Sequence, residues 1–395
     1  MKRRDFLRFA AGAGVSHGLA GRLAVSGALA GDVPTGASAA SALRDAAARA
    51  PWPGYDGAFV IDALASPIQF NIPQESLPLR PAALDAVRAS GITGVNLTVN
   101  VSSGGTGDAY DDTMARIEAW RREIAAHPGH FVNARFAADL RLAKRSGRLG
   151  IVFGFQDTVP FGDDLARLDA FQRAGVRIVQ LTYNVQNLVG SGSLVPDDGG
   201  LTDFGREVVA RLDELRVLVD LSHCGPRTTL EGIRASTRPV SITHSGCSAI
   251  FRHPRSKDDE TLRLLADRGG VLGIYLMPFL NAEGAPTAAD VIAHVEHALQ
   301  VCGEDHVGIG SDQGIVPLDV GGDFQALFDA VSARRQAAGI AAPREDTIPY
   351  VPELNVPRRM ELIADGLSAN GHGSRVIEKV LGTNWMRLFE EVWGG

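Results

Sequence analysis

Eight short runs recur along this chain, each β-branched or aliphatic and largely apolar on both faces. They are 58–64 (AFVIDAL), 94–101 (GVNLTVNV), 149–155 (LGIVFGF), 177–182 (RIVQLT), 217–221 (VLVDL), 240–243 (VSIT), 271–276 (VLGIYL) and 307–310 (VGIG). A strand with one face in water would alternate; runs apolar on both sides belong to a parallel sheet covered by helices. Between them lie stretches with three-to-four-residue apolar spacing: 79–90, 113–127, 163–174, 203–215, 227–235, 259–267 and 288–302. Thr202 fits an N-cap, and Gly91, Gly175 and Gly269-Gly270 sit where helices end before the next strand. Eight strands alternating with seven helices in about 255 residues predict a (β/α)8 TIM barrel of the α/β class. The rival is an open doubly wound sheet, but no G-x-G-x-x-G follows the first strand. Further helices are expected at 324–338, 356–369 and 374–392.

The start of the chain reads differently. Lys2-Arg3-Arg4 precedes Phe6-Leu7, a weakly apolar stretch follows, and Ala28-Leu29-Ala30 fits a cleavage site. Residues 1–30 are read as a twin-arginine-type signal peptide, 31–55 as a linker and 56–395 as the barrel domain. The protein is therefore expected in the periplasm or otherwise exported. His17 and Arg22 interrupt the leader, and no later stretch is long and apolar enough to span a membrane. The chain carries 39 Lys+Arg against 46 Asp+Glu, a net charge of −7. The leader holds +4 of this, so the remainder stands at −11, which argues against nucleic acid as a partner. Three cysteines cannot build a disulfide framework.

A barrel enzyme carries its chemistry where strands end. The expected strand ends present Gln156 and Asp157, then Tyr183, Asn184 and Asn187, then Ser222-His223, His244-Ser245 and Ser311-Asp312. Two imidazoles and carboxylates that converge on one axis suit a zinc ion. His294 and His297 lie three apart on a helix and do not make HExxH, so no metal role is assigned to them. Cys224 has no evident base and is read as packing or a weak ligand rather than a nucleophile.

The segments LTYNVQNLVGSGS (181–193), GLTDFGREVVARLDELRVLVDLSHCG (200–225), THSGCSAIFRHPRSKDDE (243–260), HVGIGSDQG (306–314) and VIEKVLGTNWMRLFEEV (376–392) resemble the membrane dipeptidase (renal dipeptidase) family. That resemblance implies a metal-dependent hydrolase barrel acting on a dipeptide or other small peptide or amide. It assigns His223 and His244 as metal ligands, Arg255 as clamp for the substrate carboxylate and Asp312 as the catalytic acid/base. Tyr183 stands where the family often has a histidine; it is expected to bind substrate by donating to a carbonyl or oxyanion. A homodimer is also implied.

The departures are chemical. The family's D-G-H-x-D reads Asp62-Ala63-Leu64-Ala65-Ser66 here, and Gln156 stands where a glutamate bridges two metals. Leucine cannot ligate a metal, and glutamine is a weak neutral substitute. The expectation is one zinc ion or none, held by His223 and His244 with Gln156 as a weak ligand, and Asp157 pointing away. The alternative is a dipeptidase-like protein without peptidase activity that binds or matures a peptide-derived metabolite, such as a siderophore.

Overall fold

The computed structural model describes residues 51–100 and 108–394. The expected leader and residues 31–50 of the expected linker lie outside the described residues. The strands are β1 Ile61–Asp62, β2 Ala65–Ser66, β3 Gly94–Thr98, β4 Phe131–Asn133, β5 Leu149–Phe155, β6 Val176–Gln180, β7 Leu218–Asp220, β8 Ser241–Ser245, β9 Val271–Ile274, β10 Val307–Ile309 and β11 Gln313–Gly314. Eight of them, in the order β3-β1-β10-β9-β8-β7-β6-β5, pair in parallel, and pairing of β3 with β5 closes the ring. These eight are the apolar runs of the sequence, so the TIM-barrel expectation holds.

Strand β4 and the helix after it escaped the sequence reading, as did the short pair β2 and β11. Strand β4 lies along the first half of β5, ahead of β6, which pairs with the second half. Three residues are too few for any period to register. The helix Ala137–Ser146 that follows it buries Ala137, Leu140 and Ala143, and two alanines make a faint apolar stripe. The expected last helix is also not continuous. It divides into Ser374–Glu378, a wide turn Lys379–Thr383 and Asn384–Trp393. The cause is close packing, because a Cβ on Gly382 would lie 2.4 Å from the carbonyl oxygen of Phe59.

The terminal helix Asn384–Trp393 puts Trp385, Leu388, Phe389 and Val392 into a core with Ile61, Leu218 and Val271, the first residues of β1, β7 and β9. Phe389 and Trp393 stack with centroids 4.1 Å apart. This helix therefore covers strand starts, opposite the ends that carry the polar residues.

Strand β8 is irregular at the site. Its register against β9 shifts between Ile242 and Ser245, which is where bulges re-aim a side chain. Room for the displaced Thr243 carbonyl comes from two glycines. A Cβ on Gly273 would sit 2.0 Å from that oxygen, and one on Gly310 1.9 Å. Backbone atoms cannot yield to that overlap cheaply. Gly310→Ala is thus expected to cost about 2–4 kcal/mol in denaturant unfolding, and a fall below about 0.5 kcal/mol would contradict this account of the bulge.

Candidate active site

The ends of β6, β7, β8 and β10 deliver polar groups to a common region. His244 lies inside β8, and His223 follows β7 by three residues. Both are buried, at 0% and 1% exposure. Their Nε2 atoms face each other at 2.9 Å.

The far side of each ring fixes its proton. Asn184 donates its amide nitrogen to the Ile340 carbonyl at 2.8 Å, so its Oδ1 accepts from His223 Nδ1 at 2.6 Å. Behind His244, Thr243 Oγ1 stands 2.9 Å from Nδ1 and 2.9 Å from Asp220 Oδ2. Asp220 also takes the Thr243 amide and the Ser222 hydroxyl. Burial pushes Asp220 up, while these donors favour the acceptor-only carboxylate. With Asp220 ionised, Thr243 gives its proton to the carboxylate and accepts Nδ1–H of His244. Both imidazoles then present Nε2 lone pairs to each other, an arrangement that a cation between them relieves. Ring N–H groups held by an outer acceptor are also how histidine ligands are oriented. Burial, with Arg255 next, holds both rings well below the usual histidine range, so both are neutral near pH 7.

The remaining donors are poorer. Gln156 spends its amide on Thr98 Oγ1 at 2.9 Å. Asp157 is tied into its own loop, accepting from Val159 N at 3.0 Å and Asn100 Nδ2 at 3.3 Å. Leu64 is packed in the core, and the Ser66 hydroxyl accepts from Ile68 N. Among the described residues no group of three or more His, Cys, Asp or Glu is placed to hold a metal. The residues present do not fit a dinuclear centre; the histidine pair fits one ion. Cys224 is a buried thiol, its pKa pushed up to about 11 by burial, so packing is its role. His294 is fixed between the Cys247 amide and the Leu280 carbonyl, and His297 against Asp259.

A cavity of about 140 Å³ is lined by Tyr183, Arg255, Asp312, Arg335 and Glu345, with Met277 and Phe279 as apolar walls. Arg255 is 1% exposed and donates Nη2 to the His244 carbonyl at 3.1 Å, while its Nε has no partner. Asp312 follows β10 in the left-handed region at φ 58°, and its carboxyl is pushed up to about 7 by burial, against the pull of Arg255. Tyr183 stacks on His223 with centroids 4.2 Å apart.

The structure thus gathers His223, His244, Tyr183, Arg255 and Asp312, while Gln156 stands at the end of β5, two strands from β7. Sequence reasoning missed Asp220, Arg335 and Glu345. An aspartate inside the apolar run VLVDL was a usable signal for the first. Nothing local marks the other two, which arrive from the tail.

Residues 69–334, about two thirds of the chain, match the family model described as membrane dipeptidase, peptidase family M19. The crystal structure of an amidohydrolase from Pseudomonas aeruginosa is 32% identical, covers 86% of this chain and 98% of its own, and superimposes with a TM-score of 0.75. An uncharacterised protein from the pqqA 5′ region of Klebsiella pneumoniae is 27% identical over 73% of this chain and 98% of its own length. Dipeptidase verJ of Clonostachys rogersoniana is 28% identical over 71% of each chain. On the length of that family match and on its barrel, the chain belongs to the membrane dipeptidase family of metal-dependent hydrolases, peptidase family M19.

Proposed function

We propose that this protein hydrolyses a small peptide or amide bearing a free carboxylate, with one zinc ion at most. One observation carries the reading. Arg255, which lines the cavity, has a buried Nε–H with no acceptor, and it stands near a carboxyl whose pKa lies near neutrality. An unspent guanidinium donor in a buried cavity fits a carboxylate, which it can meet with planar paired bonds. Asp312, titrating near the working pH, suits proton transfer to and from the scissile group. Tyr183 lines the same space, and its hydroxyl suits donation to the acyl oxygen. His223 and His244, with Gln156 as a weak third donor, would hold the ion; when bound it supplies Lewis-acid polarisation of a carbonyl.

The test compares dipeptides with their C-terminal amides, with and without added zinc. Arg255→Gln is expected to raise KM at least about tenfold for the dipeptide and much less for its amide. Equal effects on both would remove Arg255 as the clamp.

Leu64, Ser66 and Gln156 support a second reading, a protein that has lost peptidase chemistry and binds or matures a peptide-derived metabolite. Absence of zinc-stimulated turnover across the dipeptide panel, with retained binding, would favour it. The RRDFL leader supports export in either case.

A further inference from the structure

The helix Phe324–Ala337 and the segment after it bring Arg335 and Glu345 to the cavity. Arg335 lies one residue past the end of the family match. Its side chain is three-quarters buried and makes a two-pronged ion pair with Glu345, Nε to Oε2 at 2.8 Å and Nη2 to Oε1 at 3.0 Å. The same Nη2 donates to the Tyr183 hydroxyl at 3.0 Å, and the guanidinium lies 5.6 Å from the ring centroid.

The segment that carries Glu345 is stitched to the barrel. The Ile340 carbonyl accepts from Asn184, and the Pro343 carbonyl meets His253 Nε2 at 3.0 Å. Arg344 donates to the Pro278 carbonyl at 3.0 Å, and Gln313 to the Pro349 carbonyl at 2.8 Å. Glu345 is therefore held in place, and it fixes Arg335 in turn.

Donor arithmetic gives the consequence. Arginine has no acceptor, so Tyr183 must accept from Arg335 and cannot give its proton back. No protein acceptor takes that proton among the described hydrogen bonds, and Tyr183 lines the cavity with Arg255 and Asp312. With the ring held face-on by His223 and the oxygen held by Arg335, the O–H has the cavity as its open direction.

We propose that Arg335 and Glu345 are positioning residues that hold Tyr183 so that its hydroxyl donates to the substrate's acyl oxygen as that carbon becomes tetrahedral. The proposal rests on the hydrolase reading above for the identity of the acceptor. The anchoring itself does not depend on it.

The probe is a phosphinate mimic of a dipeptide, whose tetrahedral oxygens resemble that state. Binding is measured by calorimetry on the full zinc-supplemented protein. Tyr183→Phe and Arg335→Gln should each weaken the phosphinate about tenfold. The double variant should lose no more than either alone, because both remove one interaction. For a turned-over dipeptide, Arg335→Gln should lower kcat with KM held within about twofold, and Arg335→Lys should recover part of the loss. Additive losses, or wild-type affinity in Arg335→Gln, overturn the proposal. Where Arg335→Gln fails to fold, Glu345→Gln takes its place, expected to weaken the phosphinate about threefold; no change there overturns it equally. Where the wild type binds no phosphinate, the hydrolase reading fails and the anchoring is read by NMR. In protein labelled at tyrosine Cζ, the signal missing from Tyr183→Phe should move in Arg335→Gln. An unmoved signal overturns the positioning role whatever the protein acts on.

Discussion

Asp312→Asn is expected to lower kcat/KM for peptide or amide hydrolysis by about 10²–10⁴, the span of a lost general acid/base, and to stabilise the fold above neutral pH. Both effects follow from burial, which pushes this carboxyl from 3.8 up to about 7. A carboxyl whose folded pKa exceeds its unfolded value favours the folded state only while protonated. Its contribution is complete below the unfolded value of 3.8 and is lost as pH rises through about 7. At pH 8 the wild type buries a charge that asparagine does not carry. The melting-temperature difference between variant and wild type should therefore be small at pH 4 and grow through pH 7, reaching several degrees. Asparagine is also at ease at φ 58°, so the exchange adds no backbone strain there. In the wild type, kcat/KM should rise with pH through about 7 if Asp312 acts as base in the free enzyme. Paired melts and rates at pH 4.5, 6 and 8 read all three. A stability difference independent of pH would mean that Asp312 is not held near neutrality.

The same carboxyl shows how far the sequence reaches. The barrel was legible because eight runs buried on both faces leave little else to build, and strand ends follow from strands. His223, His244 and Asp312 could be named because each lies at a strand end, and Arg255 through the family resemblance of its segment. Their environment could not. Burial lifts the Asp312 carboxyl toward neutrality against the pull of Arg255 and Arg335, with Glu345 adding to the rise, and all three come from other parts of the chain. Arg335 in ARRQAAG reads as one basic residue on a surface helix, and only the fold turns it toward Tyr183. The helix Ala137–Ser146 was missed for a plainer reason, since alanine contributes little to an apolar stripe.

Protein supplied with excess zinc should retain no more than one ion per chain, His223→Ala should retain none, and Gln156→Glu should bind it at least about tenfold more tightly. Charge at the site sets these outcomes. A divalent ion at the histidine pair meets two neutral donors, because both rings are held well below the usual histidine range. Arg255 and Lys257 contribute positive charge to that environment, and Lys257 is fully enclosed, donating to the Cys224 carbonyl at 2.7 Å. Burial pushes Lys257 down to about 8, yet it stays largely charged at pH 7. No carboxylate among the described residues is placed to complete a metal cluster there, and Leu64 and Ser66 cannot supply the missing ligands of a second ion. Gln156→Glu adds one negative charge at the end of β5, and a carboxylate donor there supplies a metal bond and a Coulomb attraction that the neutral amide lacks. The low pKa of both imidazoles adds a sign that can be checked. Protons compete for Nε2 only below the ordinary histidine range, so zinc held at pH 7 should still be held at pH 6. Metal content after dialysis, with chelator competition at both pH values, reads each variant. Two ions per wild-type chain, or zinc retained by His223→Ala, would contradict a single two-histidine site.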